Sequence, residues 1–427
     1  MRKITTTLLL FIICLSPLFA QQPEKPSASE IYHNLQKLNF LGSALYIAAH
    51  PDDENQRLIS YLANQVHART AYLSITRGDG GQNLVGPEIR ELLGVIRTQE
   101  LLAARRTDGG QQFFTRANDF GYSKHPDETL EIWNEKEVLG DVVLTIRKFQ
   151  PDIIINRFDY KNPGSTHGHH TSSAMLSMDA FDLVGDATKY PETASKYGTW
   201  QPKRLFFNTS WWFYGSREKF EKADKTNLVE VETGSYYTDL GLSNGEIAAL
   251  SRSMHKSQGF GNTGTRGSQV EYLEFLKGNF PENKSNLFEG INTTWTRIEG
   301  GKAIGNILNP LENNFNFKNP SEMIPSLMET YQLIQKLPEG HWKSIKLAEI
   351  KDIIADCAGL YLEAVASEQS VSPRGNITVT IEAINRSNTA IELGSVRSPI
   401  ISFPSTLMAT PLKKDEKYTL EIGRAHV

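Results

Sequence analysis

Two short stretches hold the residue types best suited to chemistry. The first, Ala48-Ala49-His50-Pro51-Asp52-Asp53-Glu54, brings one imidazole and two carboxylates together within four positions. Nitrogen and oxygen donors of this kind suit a hard-to-borderline divalent cation such as Zn²⁺. Pro51 fixes φ and stiffens the turn, so that His50 and Asp53 can face one ion while Asp52 points elsewhere. A spare carboxylate beside a metal-bound water is what general-base hydrolysis requires. The competing reading is a polar turn in which Asp52 or Asp53 caps the next helix. The second stretch, Thr166-His167-Gly168-His169-His170, contains three of the ten histidines within four residues. His167 and His170 are three apart and can share one face of a helical turn, one binding the ion and the other donating a proton or polarising a carbonyl. Its competing reading is a solvated histidine-rich loop or an adventitious metal tract.

Both stretches follow strand signals. Ala44 to Ala49 is a continuous apolar run, the mark of a strand buried on both faces, and Pro151-Asp152-Ile153-Ile154-Ile155-Asn156 is another. Between them the pattern predicts a helix over Arg57–Gln65, a strand over Thr70–Ile75, a helix over Glu88–Arg106 and a helix over Trp133–Phe149. This alternation predicts an α/β fold, a Rossmann-like, mostly parallel sheet with helices on both faces, where ligands bind outside the carboxyl ends of the strands. Two helices follow, over Ser321–Leu337 and Trp342–Ala366. After Pro373 the period changes to two, predicting a hairpin from Ile377–Ile381 and Ile391–Leu393 that begins a β-sandwich-like domain.

The expected organisation is a signal peptide over 1–20, a tether over 21–29, a catalytic α/β domain over 30–300, a helical region over 301–370 and a partial β-rich domain over 371–420. The last seven residues, Glu421 to Val427, resemble a translated sequencing adapter, which strips His426 of functional weight. The signal is read from Arg2 and Lys3, the apolar centre Leu8–Cys14 and the Leu18-Phe19-Ala20 end, with Pro17 breaking a run already too short to span a bilayer. Export to the periplasm or the extracellular space is therefore expected, with no transmembrane segment in the mature chain. Removing the signal leaves Cys357 as the single cysteine, so a metal site must draw on His, Asp and Glu. The 45 basic against 49 acidic residues give a formal charge of −4, which excludes a nucleic-acid binder built on a basic surplus. At 39% hydrophobic and 10% aromatic residues the chain can bury a substantial core, which excludes wholesale disorder.

The His50-Pro51-Asp52-Asp53-Glu54 segment, paired with the downstream His167-x-x-His170, resembles the PIG-L/LmbE family of zinc-dependent de-N-acetylases over roughly residues 40–260. The resemblance implies a Rossmann-like fold and hydrolysis of an N-acetyl group from a glucosamine-containing glycan or glycoconjugate. It implies His50, Asp53 and His170 as zinc ligands, Asp52 as general base, and His167 as the histidine that stabilises the oxyanion or protonates the leaving amine. Arg97-Thr98-Gln99-Glu100 resembles the family's sugar-contacting Arg-x-x-Glu helix, and Asp119, in Asn118-Asp119-Phe120-Gly121, its hydroxyl-binding acid. Arg97 as a surface salt-bridge partner is the plainer alternative. One departure stands out: many members carry Pro-Asp inside the second motif, where this chain has Gly168-His169. His167 thus lacks its adjacent acid, and His169 takes part in the site or faces solvent.

Four other segments invite functional readings. His125-Pro126-Asp127-Glu128 copies part of the first motif but is expected to open a helix, with Asp127 as its cap. Arg77-Gly78-Asp79 is expected in a tight active-site loop. Met254 to Gln258 is polar enough to line the cleft, with His255 more often structural. Trp211-Trp212-Phe213-Tyr214 is suited either to stacking on sugar rings or to a strand or core segment. The function expected is a zinc hydrolase acting on an N-acetylated sugar; the rivals are an amidase for a non-sugar amide and a non-catalytic glycan-binding protein.

Overall fold

A computed structural model describes residues 25–162, 166–261, 263–372, 375–396 and 407–426. The expected signal peptide and the first part of the tether lie outside the described residues.

Successive residues of β1 (Ser43–Ala48) are all buried, as the apolar run requires. Leu45 and Ile47 join one apolar cluster while Ala44, Tyr46 and Ala48 join a second, so the two side-chain directions of the strand feed two cores. β1 pairs in parallel with β2 (Arg69–Ser74) on one side and β4 (Ile153–Asn156) on the other. β3 (Gln111–Phe114) and β5 (Arg204–Thr209) extend the parallel sheet at its two sides. The sheet then turns antiparallel: β9 (Val270–Gly278) lies between β5 and β6 (Leu228–Glu232), giving the order β3-β2-β1-β4-β5-β9-β6. The short β7 (Tyr236–Tyr237) and β8 (Leu242–Ser243) form a separate ladder. This is the mostly parallel α/β sheet the alternation predicted.

Helices cover both faces. α2 (Gln56–Asn64) and α3 (Glu91–Asp108) supply Leu58, Ile59, Leu62 and Leu101 to one core. α5 (Glu135–Phe149) and α6 (Gly168–Leu183) supply Val138, Val142, Ile146 and Leu176 to the other. The chain enters this body through α1 (Ala28–Asn39), and α4 (Pro126–Trp133) precedes α5. The helix expected over Trp133–Phe149 is α5, which starts two residues later because Asn134, at a φ of +59°, separates it from α4. The strand order reverses about β1 and β4, and ligand crevices of open α/β sheets form at such a switch point.

By contacts the described residues form two units, one within 32–317 and 322–354, the other within 25–31, 318–321 and 355–426. In the second, Tyr361–Ala366 is a strand rather than the end of a helix: the preceding helix, His341–Cys357, stops there and Gly359 takes a φ of +57°. The anticipated hairpin is also different. Asn376–Ile384 pairs with Tyr361–Ala366 and with Lys417–His426, while Ile391–Ser395 pairs with Leu407–Leu412. Residues 421–426 continue the outer strand of the first of these sheets.

Candidate metal and catalytic site

β1 ends at Ala48, and the next residues turn sharply over the carboxyl edge of the sheet. The backbone N–H of His50 donates to Asp53 Oδ2 at 2.7 Å, and its Nδ1 lies 3.1 Å from the same oxygen. Tyr72, from β2, donates its hydroxyl to the His50 carbonyl at 2.5 Å. Asp52 adopts a φ of +89°, a conformation that favours glycine and costs a residue with a side chain about 1–3 kcal/mol. That strained turn sends Asp52 away from Asp53, so that adjacent carboxylates serve different partners.

Arg97, on α3, is 4% exposed and lies beneath the turn. Its guanidinium donates to Pro51 O at 2.5 Å, Gly78 O at 3.0 Å and Asp52 Oδ1 at 3.0 Å. Gly78, at a φ of +71°, leaves room for it; a Cβ there would collide with the guanidinium. The residue anticipated as a sugar contact, or as a surface ion-pair partner, is therefore a buried clamp on Asp52. Burial pushes the Asp52 carboxyl up to about 6, with Arg97 acting against that rise and Asp53 adding to it.

Glu54 closes the motif from below. It is buried, and it accepts from the Asp52 N–H, Gln56 Nε2, Arg105 Nη2 and His255 Nε2 at 2.9–3.2 Å. Burial alone would raise its pKa, but Arg105 and His255 outweigh that and bring it to about 2. His255 is thus a buried partner of Glu54 rather than a lining residue of the cleft. The helix after the motif is capped by Asn55, whose Oδ1 accepts from the N–H groups of Arg57 and Leu58, and neither Asp52 nor Asp53 does that work.

The second stretch opens α6. His167 is its N-cap and accepts the His169 N–H on Nδ1 at 3.1 Å. His170 stacks on Phe158, just past β4, with ring centroids 3.8 Å apart and planes 3° from parallel. That stacking leaves His170 Nε2 3.5 Å from Asp53 Oδ1. His50, Asp53 and His170 consequently offer ligand atoms that all lie within 4.8 Å of one another. Two imidazoles and one carboxylate at that spacing fit the donor set of a catalytic zinc centre, which keeps a position open. Burial tends to raise the Asp53 carboxyl, yet His170 and His50 hold it well below the usual range.

His169 is fully buried and does not face solvent. Its Nδ1 lies 2.9 Å from His50 Nε2, and Phe120 and Trp133 pack around its ring. Asp119 is 5% exposed; one oxygen is 3.9 Å from His50 Nε2 and the other 3.7 Å from His169 Nδ1. The structure brings the anticipated hydroxyl-binding acid to the back of the histidine cluster. Burial, reinforced by His50 and neighbouring imidazoles, lowers His167 to about 4 and His169 to about 2, so both are neutral near pH 7.

A cavity of about 710 Å³ opens onto Asp52, Asp53 and His170. Trp212 and Phe213 line it from a 3₁₀ turn (Trp211–Tyr214) rather than a strand; Phe213 packs against the core, while Trp212 is 54% exposed. The decoy His125 is the N-cap residue of α4, with Pro126 and Asp127 in its first turn; Asp127 is not the cap. Arg105, Phe158 and Glu271 were not legible as site residues, because each acts through a neighbour far away in sequence.

Residues 45–181 match the model of the family described as PIG-L, GlcNAc-PI de-N-acetylase. The chain is 28% identical over 176 residues to the mycothiol S-conjugate amidase of Streptomyces coelicolor, an alignment covering 38% of this chain and 59% of that protein's length. Among solved structures it is similar to the N,N'-diacetylchitobiose deacetylase of Pyrococcus horikoshii, at 18% identity and a TM-score of 0.35, over 51% of this chain and 70% of that one. It is likewise similar to the 4-carboxy-2-hydroxymuconate hydratase of Pseudomonas putida, at 17% identity and a TM-score of 0.38, over 57% and 99%. Residues 45–181 are a PIG-L (LmbE-like) de-N-acetylase family domain, as the two histidine motifs suggested.

Proposed function

We propose that this protein is a zinc-dependent amidohydrolase that removes N-acetyl groups from an N-acetylglucosamine-containing glycan or glycoconjugate. The observation that carries the proposal is the convergence of His50, Asp53 and His170, the two histidines 120 residues apart in sequence, with a further carboxylate, Asp52, held beside them by Arg97. A bound zinc ion supplies water acidified towards a pKa of about 7 and polarises the acyl oxygen. Asp52 takes the proton of the attacking water, and its raised pKa matches that task better than an ordinary carboxylate would. Arg97 fixes the direction of Asp52 and keeps it ionised near neutral pH. His167, a neutral imidazole at the open edge of the cluster, stabilises the tetrahedral oxyanion or passes a proton to the departing amine.

The domain match supports the de-N-acetylase chemistry, and the exposed Trp212 supports a sugar ring in the cleft. Export through residues 1–20 belongs to the same proposal; no helix among the described residues is long and apolar enough to cross a membrane. The similarity to mycothiol S-conjugate amidase supports a second reading, hydrolysis of an amide in a different setting. Assaying free amine from N-acetylglucosamine oligomers and from non-sugar amides, with and without chelator, tests both. Release from the sugars that stops on chelation and returns with Zn²⁺ is the expected result; chelator-insensitive release, or none from any acetylated sugar, overturns the proposal.

A further inference from the structure

Four carboxylates and three arginines line the cavity, and their pairing is uneven. Asp52 faces Arg97, Asp53 lies between His50 and His170, Glu54 meets Arg105, and Glu271 meets Arg57 at 2.7 Å. Every acidic group of the wall thus has a basic partner, an arginine or an imidazole. Arg157 and Arg252 remain, and neither forms an ion pair with a carboxylate among the described residues. Arg252, the last residue of α7 (Asn244–Arg252), reaches only Gln56 Oε1 at 3.4 Å and the Phe260 ring at 3.9 Å among the described residues. Arg157 directly follows β4, and its backbone N–H is fixed on Ile47 O at 3.0 Å. It is the immediate neighbour of Phe158, the residue that stacks under His170.

We propose that the cleft takes an N-acylated substrate bearing an anionic group, a carboxylate or a phosphate, held by Arg157 and Arg252. The proposal rests on the amidohydrolase reading for what happens to the acyl group, and on the wall's charge pairing for the anion. A guanidinium stays charged at any physiological pH and presents a fork that matches carboxylate and phosphate oxygens. Leaving two of them without a counter-ion in a concave wall raises the local concentration of anions and repels cations. Trp212, half exposed on the same wall, offers a flat apolar face for a ring between the amide and the anion. Arg157 lies inside the matched segment 45–181, whereas Arg252 and Trp212 lie beyond it, so the anion would be held between the family domain and a later helix of the chain.

The test compares matched ligands with and without an anionic group: N-acetylmuramic acid against its methyl ester, and N-acetylglucosamine 1-phosphate against N-acetylglucosamine. With the zinc-loaded full chain, kcat/KM is expected to favour each anionic member about tenfold or more, the size of one hydrogen-bonded charge contact. Which pair shows the larger ratio distinguishes carboxylate from phosphate. In the double variant Arg157→Gln, Arg252→Gln the ratio is expected to fall towards one. Should that variant fold poorly, added salt replaces it, because the wild-type ratio must then shrink as ionic strength rises. Calorimetric binding of the same pairs separates the two ideas. Tighter binding of the anions without hydrolysis of any amide leaves this inference standing and overturns the hydrolase reading. Equal affinity or equal kcat/KM within each pair, or no binding of either anion, overturns the inference.

Discussion

His169 Nδ1 lies 2.9 Å from His50 Nε2, so one buried imidazole backs another from behind the metal site. A ligating histidine commonly donates its second ring N–H to a neighbour, which fixes the ring and leaves the other nitrogen for the ion. With His50 donating Nε2–H to His169, its Nδ1 is left on the side of Asp53 and His170. Replacing His169 with Phe keeps an aromatic volume and removes the acceptor. Zinc affinity, measured by competition with a chelator, is expected to weaken about 10–100-fold. Unchanged affinity in a folded variant would strip His169 of this role.

Asp52→Asn removes the base and keeps the shape. Zinc content should stay at the wild-type level while kcat drops about 10²–10⁴-fold. Loss of the metal together with the rate would make Asp52 a ligand instead.

The acid side of the pH profile follows from the same residue. Only the carboxylate can accept a proton, and burial brings the Asp52 pKa to about 6, so kcat/KM should fall as pH drops below about 6. Arg97 pulls that pKa down, so Arg97→Gln should move the acid limb to higher pH, by about one unit or more. A limb that stays in place, in a variant shown to be folded by circular dichroism, rules out the clamp.

Glu54 makes a prediction about stability. Its pKa is about 2 in the folded chain against a reference of 4.5, a folded value below the unfolded one. The stabilisation is therefore complete above about 4.5 and disappears as pH falls towards 2. Urea titrations between pH 5 and pH 2 are expected to show Glu54→Gln losing less stability than the wild type, by on the order of 3 kcal/mol. Parallel loss in the two proteins would show that the Arg105 and His255 contacts do not select the ionised form.

Much of the sheet was legible because its strands are apolar on both faces: β1 and β4 announce themselves as Ala44–Ala49 and Ile153–Ile155. The paired motifs were legible for a related reason, since each falls immediately after such a strand. What stayed hidden depends on distance in sequence. Asn134 carries a local signal, since asparagine tolerates the left-handed region better than other residues with side chains, but the apolar period on either side of it obscures the break. The sequence leaves His169 between taking part in the site and facing solvent, because its partners, His50, Phe120 and Trp133, come from other elements. Arg97 read as a sugar contact or a surface charge for the same reason: Pro51 O and Gly78 O, the groups it holds, are invisible to helical periodicity.

The antiparallel return of β9 makes one wall of the cleft the last part of the large sheet in chain order. Glu271, near its start, takes Arg57 at 2.7 Å and Asn55 at 2.8 Å, partners more than 200 residues upstream. A ribosome delivers His50, Asp53 and His170 well before it delivers that strand. A chain cut before Val270 would keep His50, Asp53 and His170 yet lose the residue that Arg57 and Asn55 hold across the cleft.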